Sequence, residues 1–258
     1  MEMPGGLAMA ERAGDRDGLK LDVLHVRWGP VLPYWPSGLV VDTRLQGDVV
    51  ESAEAHILPA AGPPPVRPFW YAADDPSAVR RRTAAAHLDS LSRLLALAGW
   101  ASAACTACAL RGQLLGEEPV ERVHAAFVRW RRRVERSRPL RWATDGLGVL
   151  TAGHAEHLGV GGPAARAGGR ADATARWRRW LEEAEDLLVG GPVPDGGPRG
   201  PWVHGADPPS GALLAAAVEL MPGLELTEAR LLVASFDPDP DELAPVEQQE
   251  TGHGEGAT

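Results

Sequence analysis

The sequence predicts an α+β fold in which a small antiparallel β-hairpin region packs on a mainly helical bundle. Residues 19–26 and 39–57 alternate apolar and polar positions around a Gln46-Gly47-Asp48 turn, the period of half-buried strands. From residue 75 onward helical spacing dominates. The segment 120–134 places Val120, Val123, Phe127, Trp130 and Val134 at intervals of three and four, one stripe along a helix.

Taken in chain order, residues 1–17 are Gly-rich and charged and are expected to be flexible. Residues 60–68 are Pro-rich and exclude regular structure. Asp75-Pro76 reads as an N-cap with proline in the first turn, opening a helix over 77–98 that Gly99 interrupts. A second helix covers 101–115, and Glu118-Pro119 opens a third that Pro139 ends. A short helix follows Asp145. Asp172 caps another, with Trp177, Leu181, Ala184 and Leu188 inward and Gly190 as its stop signal. Residues 190–201 form a Gly/Pro linker, Ser210 caps a helix reaching residue 220, and 231–236 read as a short buried strand. The organisation is thus a flexible N-terminus over 1–17, a domain over 18–236 and a disordered acidic tail over 237–258. Within the domain lie a hairpin region (18–58), a helical region (75–190) and a closing helix and strand (202–236).

With 258 residues and 44% hydrophobic content, the chain can bury a sizeable core. Formal net charge is −9, but 237–258 holds seven acids and no Lys or Arg, so the body is close to neutral. That balance argues against a non-specific nucleic-acid binder. No apolar run reaches the ~20 residues of a membrane span, and the N-terminus lacks the basic and apolar regions of a signal peptide. A cytoplasmic protein is expected, at most peripheral on the cytoplasmic face of a membrane, with any membrane contact made through partners.

Several residue groups are candidate sites. Cys105 and Cys108 form a lone Cys-x-x-Cys among alanines in mid-helix. A structural zinc site needs four ligands and a redox dithiol sits at a helix N-terminus, so these read as small packing thiols. His154 and His157, three apart on a helix, could put two ring nitrogens on one face for a metal or simply lie on the surface. No third ligand is specified, and no bound metal is expected. Arg166 and Arg170 flank glycines in a loop with Gly161, Gly162 and Pro163. Glycines allow close approach, and arginine presents a planar donor fork to an anion or sulfur. The alternative is an arginine paired with Asp172 or solvent. If Arg166 serves an interface, Arg166→Ala should change stability by no more than ~0.5 kcal/mol. Arg129, Arg131, Arg132, Arg133, Arg136 and Arg138 make a basic end to the third helix, which is either a solvated face favoured at a helix C-terminus or a docking surface for an acidic subunit or for this chain's own acidic tail.

The run Thr144-Asp-Gly-Leu-Gly-Val-Leu-Thr, followed by Gly159-Val-Gly-Gly-Pro-Ala-Ala-Arg-Ala-Gly-Gly-Arg, resembles a segment shared by the [NiFe]-hydrogenase large subunits and their counterpart in NADH:quinone oxidoreductase (complex I). There a helix ends at a Gly-Pro turn and an Arg-x-x-Gly loop follows near the redox centre. The opening, Gly29-Pro-Val-Leu-Pro-Tyr-Trp-Pro-Ser-Gly followed by Leu45-Gln-Gly-Asp, is similar to that family's first hairpin. Pro208-Pro-Ser-Gly-Ala-Leu-Leu and Ala229-Arg-Leu-Leu-Val-Ala-Ser-Phe-Asp-Pro resemble its closing helix and Ser-x-Asp-Pro terminus. The resemblance implies a hydrogenase large-subunit-like fold. It implies a subunit of an electron-transfer complex that forms the quinone-side wall against an iron–sulfur subunit. Arg166 and its loop would then face the partner's cluster, His154 and His157 a cavity, and the chain itself would bind no flavin or NADH. An alternative is a non-catalytic paralogue serving as a scaffold or assembly protein. The chain departs from the family in length and in two motifs: no cysteine lies near Gly29 or Asp237 to hold nickel, and the opening loop has no histidine.

Overall fold

Leu39, Val41, Thr43 and Leu45 are all buried on one strand face, and that face organises an antiparallel sheet. The structure, a computed structural model, describes residues 12–14, 20–59, 67–116, 118–168, 170–194, 196–204 and 206–243. Strands β1 (Arg12–Gly14), β2 (Lys20–Trp28), β3 (Leu39–Gln46) and β4 (Val49–Ile57) pair in that order. The β3–β4 turn is the expected one, with Gly47 at φ 63°, a left-handed conformation natural to glycine. Arg12–Gly14 pairs with residues 20–22 of β2, so this part of the terminus expected to be flexible is an edge strand. The rest of residues 1–17 lies outside the described residues.

A 3₁₀ turn at Phe69–Tyr71 leads into α1 (Pro76–Leu97), whose N-cap Asp75 accepts hydrogen bonds from the Ser77 and Ala78 amides. Helices α2 (Ala101–Leu115), α3 (Val120–Glu135) and α4 (Arg138–Thr144) follow. Pro139 does not end α3. The helix stops earlier, Ser137 accepts from the Leu140 amide, and Pro139 sits in the first turn of α4, where its missing N–H costs nothing. A short β5 (Leu150–Thr151) pairs with β6 (Arg170–Ala171) around α5 (Ala152–Leu158) and α6 (Gly162–Arg166). Next come α7 (Ala173–Leu188), α8 (Pro209–Glu219), α9 (Leu226–Phe236) and α10 (Pro240–Leu243).

Two buried clusters fill the interior. One lies among α1, α2, α3 and α7; the other joins the sheet to α8 and α9. α1 runs between them and is buried almost all round from Thr83 to Leu95, which is why it lacks a clean amphipathic stripe.

The C-terminal part corrects three expectations. Residues 231–236 are helical, not a strand. The apolar run Leu231-Leu232-Val233 satisfies either reading by pattern alone, but Glu225 and Glu228 form a reciprocal capping box that starts α9 upstream. What reaches the sheet is the segment before α9, through the Val49–Glu225 bridge and the bond from the Val50 amide to the Leu224 carbonyl. Ser210 is not the cap of α8: the N-cap is Pro208, and Ser210 is fully buried in the first turn. Residues 237–243 are ordered, with Asp237, Asp239 and Glu242 buried, whereas 244–258 lie outside the described residues.

The α3 stripe fits its sequence pattern. Val123, Phe127, Trp130 and Val134 are buried, and the Trp130 indole N–H donates to the Ala103 carbonyl at 3.1 Å. Trp130→Ala should therefore cost ~3–5 kcal/mol in chemical denaturation. A cost no greater than that of an exposed-residue control would overturn this assignment of the α3 face.

Candidate functional site

α1 carries its polar residues inward. His87, Asp89 and Ser90 are each buried, and one helical face presents His87 and Ser90 a turn apart. Each meets charged groups from distant parts of the chain, so a polar seam crosses the middle of the molecule.

At one end of the seam stands Glu183 of α7, whose side chain is 2% exposed. Arg166 grips it with two bonds, Nε to Oε1 at 2.8 Å and Nη2 to Oε2 at 3.0 Å. Arg179 adds a third at 2.8 Å. His87 Nε2 lies 3.3 Å from Glu183 Oε2. Burial would raise the Glu183 carboxyl; His87 and Arg166 outweigh burial and hold it well below the usual carboxylate range.

At the other end stands Asp237, the residue that ends α9 in a left-handed conformation with φ 51°, which aspartate tolerates better than most. Ser90 Oγ donates to its Oδ2 at 2.6 Å and Arg93 Nε to its Oδ1 at 3.1 Å. Arg199 bonds both its carboxylate and, at 2.7 Å, its backbone carbonyl. Arg93 also pairs with Asp89 at 2.6 Å, and Arg111 closes on Asp89. Burial pushes the Asp237 carboxyl up, but Arg199, Arg93 and Ser90 bring it below its ordinary value. Asp239 and Glu242 go the other way. Burial raises both, and Arg199, 3.3 Å from Asp239 and 3.9 Å from Glu242, only partly compensates. Ser210 ties them together: its hydroxyl accepts from the Asp239 amide and its own amide donates to Glu242 Oε2. Glu242 Oε1 is buried without a hydrogen-bond partner. Nearby, the Tyr71 hydroxyl donates to the Gly200 carbonyl, and burial followed by the charge of Glu242 raises its pKa.

Arg176 of α7, buried like Arg199, has no carboxylate in contact among the described residues. Its guanidinium donates to the carbonyls of Gly148 and Ala171 at 2.8 and 2.9 Å, to the Ser235 hydroxyl at 2.7 Å, and lies 4.0 Å from the Phe236 ring centre. Burial lowers its pKa, with Asp172 partly offsetting the shift. Gly148 is required here. It sits at φ 57°, and a Cβ on it would come within 2.0 Å of Leu232.

The glycine loop around Arg166 occupies a different setting from the one its residues suggest. Gly162, at φ 63°, approaches Arg199 so closely that a Cβ would meet its backbone at 2.4 Å, and Pro163 is buried behind it. Gly161 faces the same Arg199–Pro201 backbone. The close approach at these two glycines is therefore made by the chain itself, and Arg166 bonds Glu183 instead of Asp172. Asp172 caps α7 through the Ala175 amide and also receives the Gly146 amide. Gly168 faces open space. Arg170 contributes backbone to β6, while its side chain and Gly169 lie outside the described residues. His154 engages Glu219 of α8 through a ring nitrogen at 3.0 Å, and His157 is exposed. Cys105 is exposed and Cys108 partly so. Among the described residues, no three His, Cys, Asp or Glu side chains gather as a metal site, and no helix is long and apolar enough to cross a membrane.

Sequence reasoning missed Asp237, Asp239, Glu242, Arg199, Arg93, Glu183 and Arg176. The prolines at 238 and 240 signal a turn after α9, and Arg199 lies within glycines and prolines that read as linker.

Removing one partner of a buried pair strands the other charge, so Asp237→Asn should destabilise by about 3–5 kcal/mol at neutral pH. The Asp237 carboxyl is depressed, so its contribution is present above the ordinary carboxylate pKa and is lost as pH falls through the folded value. Those of Asp239 and Glu242 are raised, so their contribution is full below the ordinary value and is lost as pH rises through the folded ones. Glu242→Gln should accordingly flatten the decline in stability as pH rises above the ordinary carboxylate range. An unchanged slope would show that Glu242 does not titrate in this window. Because Arg166 holds Glu183 with two bonds, Arg166→Ala should cost ~1–3 kcal/mol, more than the exposed-loop expectation. A melting temperature equal to wild type would restore that expectation.

No protein-family model matches the chain, and no curated protein sequence matches it significantly. Among solved structures it is similar to a chain from the membrane-bound sulfane sulfur reductase, an archaeal respiratory membrane complex. The TM-score is 0.66 at 16% sequence identity, over 87% of this chain and 99% of that one. The likeness is one of fold, nearly end to end, and the shared architecture is α+β.

Proposed function

We propose that the protein is a subunit of a respiratory oxidoreductase complex related to complex I and the hydrogenases. In this reading it forms the quinone-side wall against an iron–sulfur subunit. The observation that carries the reading is the fold match, which spans 99% of a chain taken from a respiratory membrane complex. The Gly-Pro turn and Arg166 loop support the iron–sulfur side. Arg166 keeps part of its side chain exposed (29%) while Glu183 holds its guanidinium in place, leaving a positioned cation at the surface. On the quinone side, the β2–β3 loop exposes Val31, Leu32 and Tyr34 over the buried Trp28 and Trp35. Those residues suit an apolar tail better than a redox headgroup, and no histidine is present to hold one. The chain would bind no flavin, NADH or metal itself. It would sit on the cytoplasmic face of the membrane through its partners.

The scaffold alternative has its own support. The seam from Glu183 to Glu242 engages its charged groups with one another, and Gly161 and Gly162 pack against the chain's own backbone. Co-expression with the neighbouring iron–sulfur subunit of its native host separates the two. A stable complex that reduces a soluble quinone, and that loses this activity when Val31 and Tyr34 are changed to Asp, is expected. A stable complex with wild-type turnover in that variant would favour the scaffold, and no complex at all would sink the subunit reading.

A further inference from the structure

The C-terminal half of α3, α4 and the α1–α2 turn form a surface that neither the seam nor the proposed redox face uses. Arg129, Arg132, Arg133, Arg136 and Arg138 are exposed there, and among the described residues none has a carboxylate partner. Their neighbours do: Arg122 pairs with Glu118, and Arg131 pairs with Glu135 and Glu185. The cluster stands on a body that is close to neutral once the seven acids of 237–258 are set aside. The helix C-terminus accounts for Arg132 and Arg133 in the last turn. It does not account for Arg136 and Arg138, which lie beyond it.

The surface is concave and mixed in chemistry. Arg133, Arg136 and Arg138 line a groove of about 620 Å³ with Trp100, Pro139 and Leu140. The Arg133 guanidinium lies 5.2 Å from the Trp100 ring centre, which steadies the cation in one orientation. Trp142, four residues after Arg138 on α4 and thus on the same side, is 76% exposed.

We propose that this face docks an acidic segment of a partner protein, whose carboxylates pair with Arg133, Arg136 and Arg138 while an apolar side chain lies against Trp100. Arginine forks match carboxylates in pairs and shed water readily, and Trp and Arg are the residues that dominate protein interfaces. A basic face whose arginines have no carboxylate partners among the described residues also steers an acidic partner into one orientation. An anionic bilayer offers the same charge but is flat; it would reach Trp142 and the rim and leave the groove floor unfilled. The inference does not depend on the redox reading.

The test uses the full chain and a fluorescently labelled peptide of about twelve residues, rich in Glu and Asp with interspersed Leu. A peptide with Lys in place of the acids is the control. Saturable binding of the acidic peptide alone is expected. It should weaken at least about tenfold in Arg136→Glu/Arg138→Glu, several-fold in Trp142→Ala, and further when salt rises from about 50 to about 300 mM. Both variants alter exposed side chains and should keep the wild-type melting temperature. Equal binding by wild type and the charge-reversed variant would overturn the proposal, as would no saturable binding. Sedimentation with phosphatidylglycerol vesicles that depends on the same arginines, without peptide binding, would overturn it in favour of a membrane surface. Peptide binding with no quinone activity in any complex would leave this inference standing and sink the redox reading.

Discussion

One carboxylate holds the C-terminal third of the fold to its centre. Asp237 is 3% exposed and receives Arg199, Arg93 and Ser90 from two segments far from it in sequence. A desolvated carboxylate is tolerable only when its lone pairs are met by donors that stay in place. Here each donor is itself fixed. Arg93 is braced by Asp89, which Arg111 braces in turn; Arg199 also grips the Asp237 carbonyl; Ser90 sits in the buried stretch of α1. The same residue sets the chain's direction, because its left-handed backbone ends α9 and Pro238 prevents further helix. Geometry and charge therefore select one arrangement of α1, α9 and the 197–200 loop.

The seam also explains why α1 tolerates burial on every side. A helix between two apolar clusters would ordinarily be apolar all round, yet this one carries His87, Asp89, Ser90 and Arg93. Each faces a counter-group supplied by another element, so few polar atoms are left without partners. The count is not perfectly balanced. Around Arg199 three carboxylates share one guanidinium, and Asp237 takes the best of it. That asymmetry separates the carboxyl pKa values: the best-paired acid falls, while Asp239 and Glu242 rise.

What is legible in the sequence follows from the range of the forces involved. The β3–β4 hairpin, the α3 stripe and the caps at Asp75 and Asp172 are local, and spacing or one side chain specifies each. α9 misleads because Leu231-Leu232-Val233 is apolar without period, and its start signal uses Glu225 as N-cap where Ser or Thr is the usual mark. Residues 237–243 read as tail because acidity averaged over a window suggests disorder. Asp237, Asp239 and Glu242 can be buried because they face Arg93 and Arg199, some 40 to 150 residues away. Pairing at that separation leaves no trace in composition. The Arg166 loop misleads differently. Its glycines do signal close approach, but nothing local says whether the approaching backbone is foreign or, as at Gly162, the chain's own.

Internal engagement of Arg166 does not by itself remove it from an interface. A guanidinium has five donors, Glu183 accepts from two of its nitrogens, and about a third of the side chain remains open. A positioned, partly exposed arginine loses less entropy on meeting a partner than a free one, so the buried Glu183 can be what makes the loop usable. The Arg136 and Arg138 surface follows the opposite logic, with exposed charge that has no carboxylate partner among the described residues gathered beside the Trp100 indole. Anchoring a few cations from within and leaving others free divides the molecule into a pre-organised face at α6 and an electrostatic one at α4. Two faces of the same chemistry could be exchanged by one partner; faces that differ in this way could not.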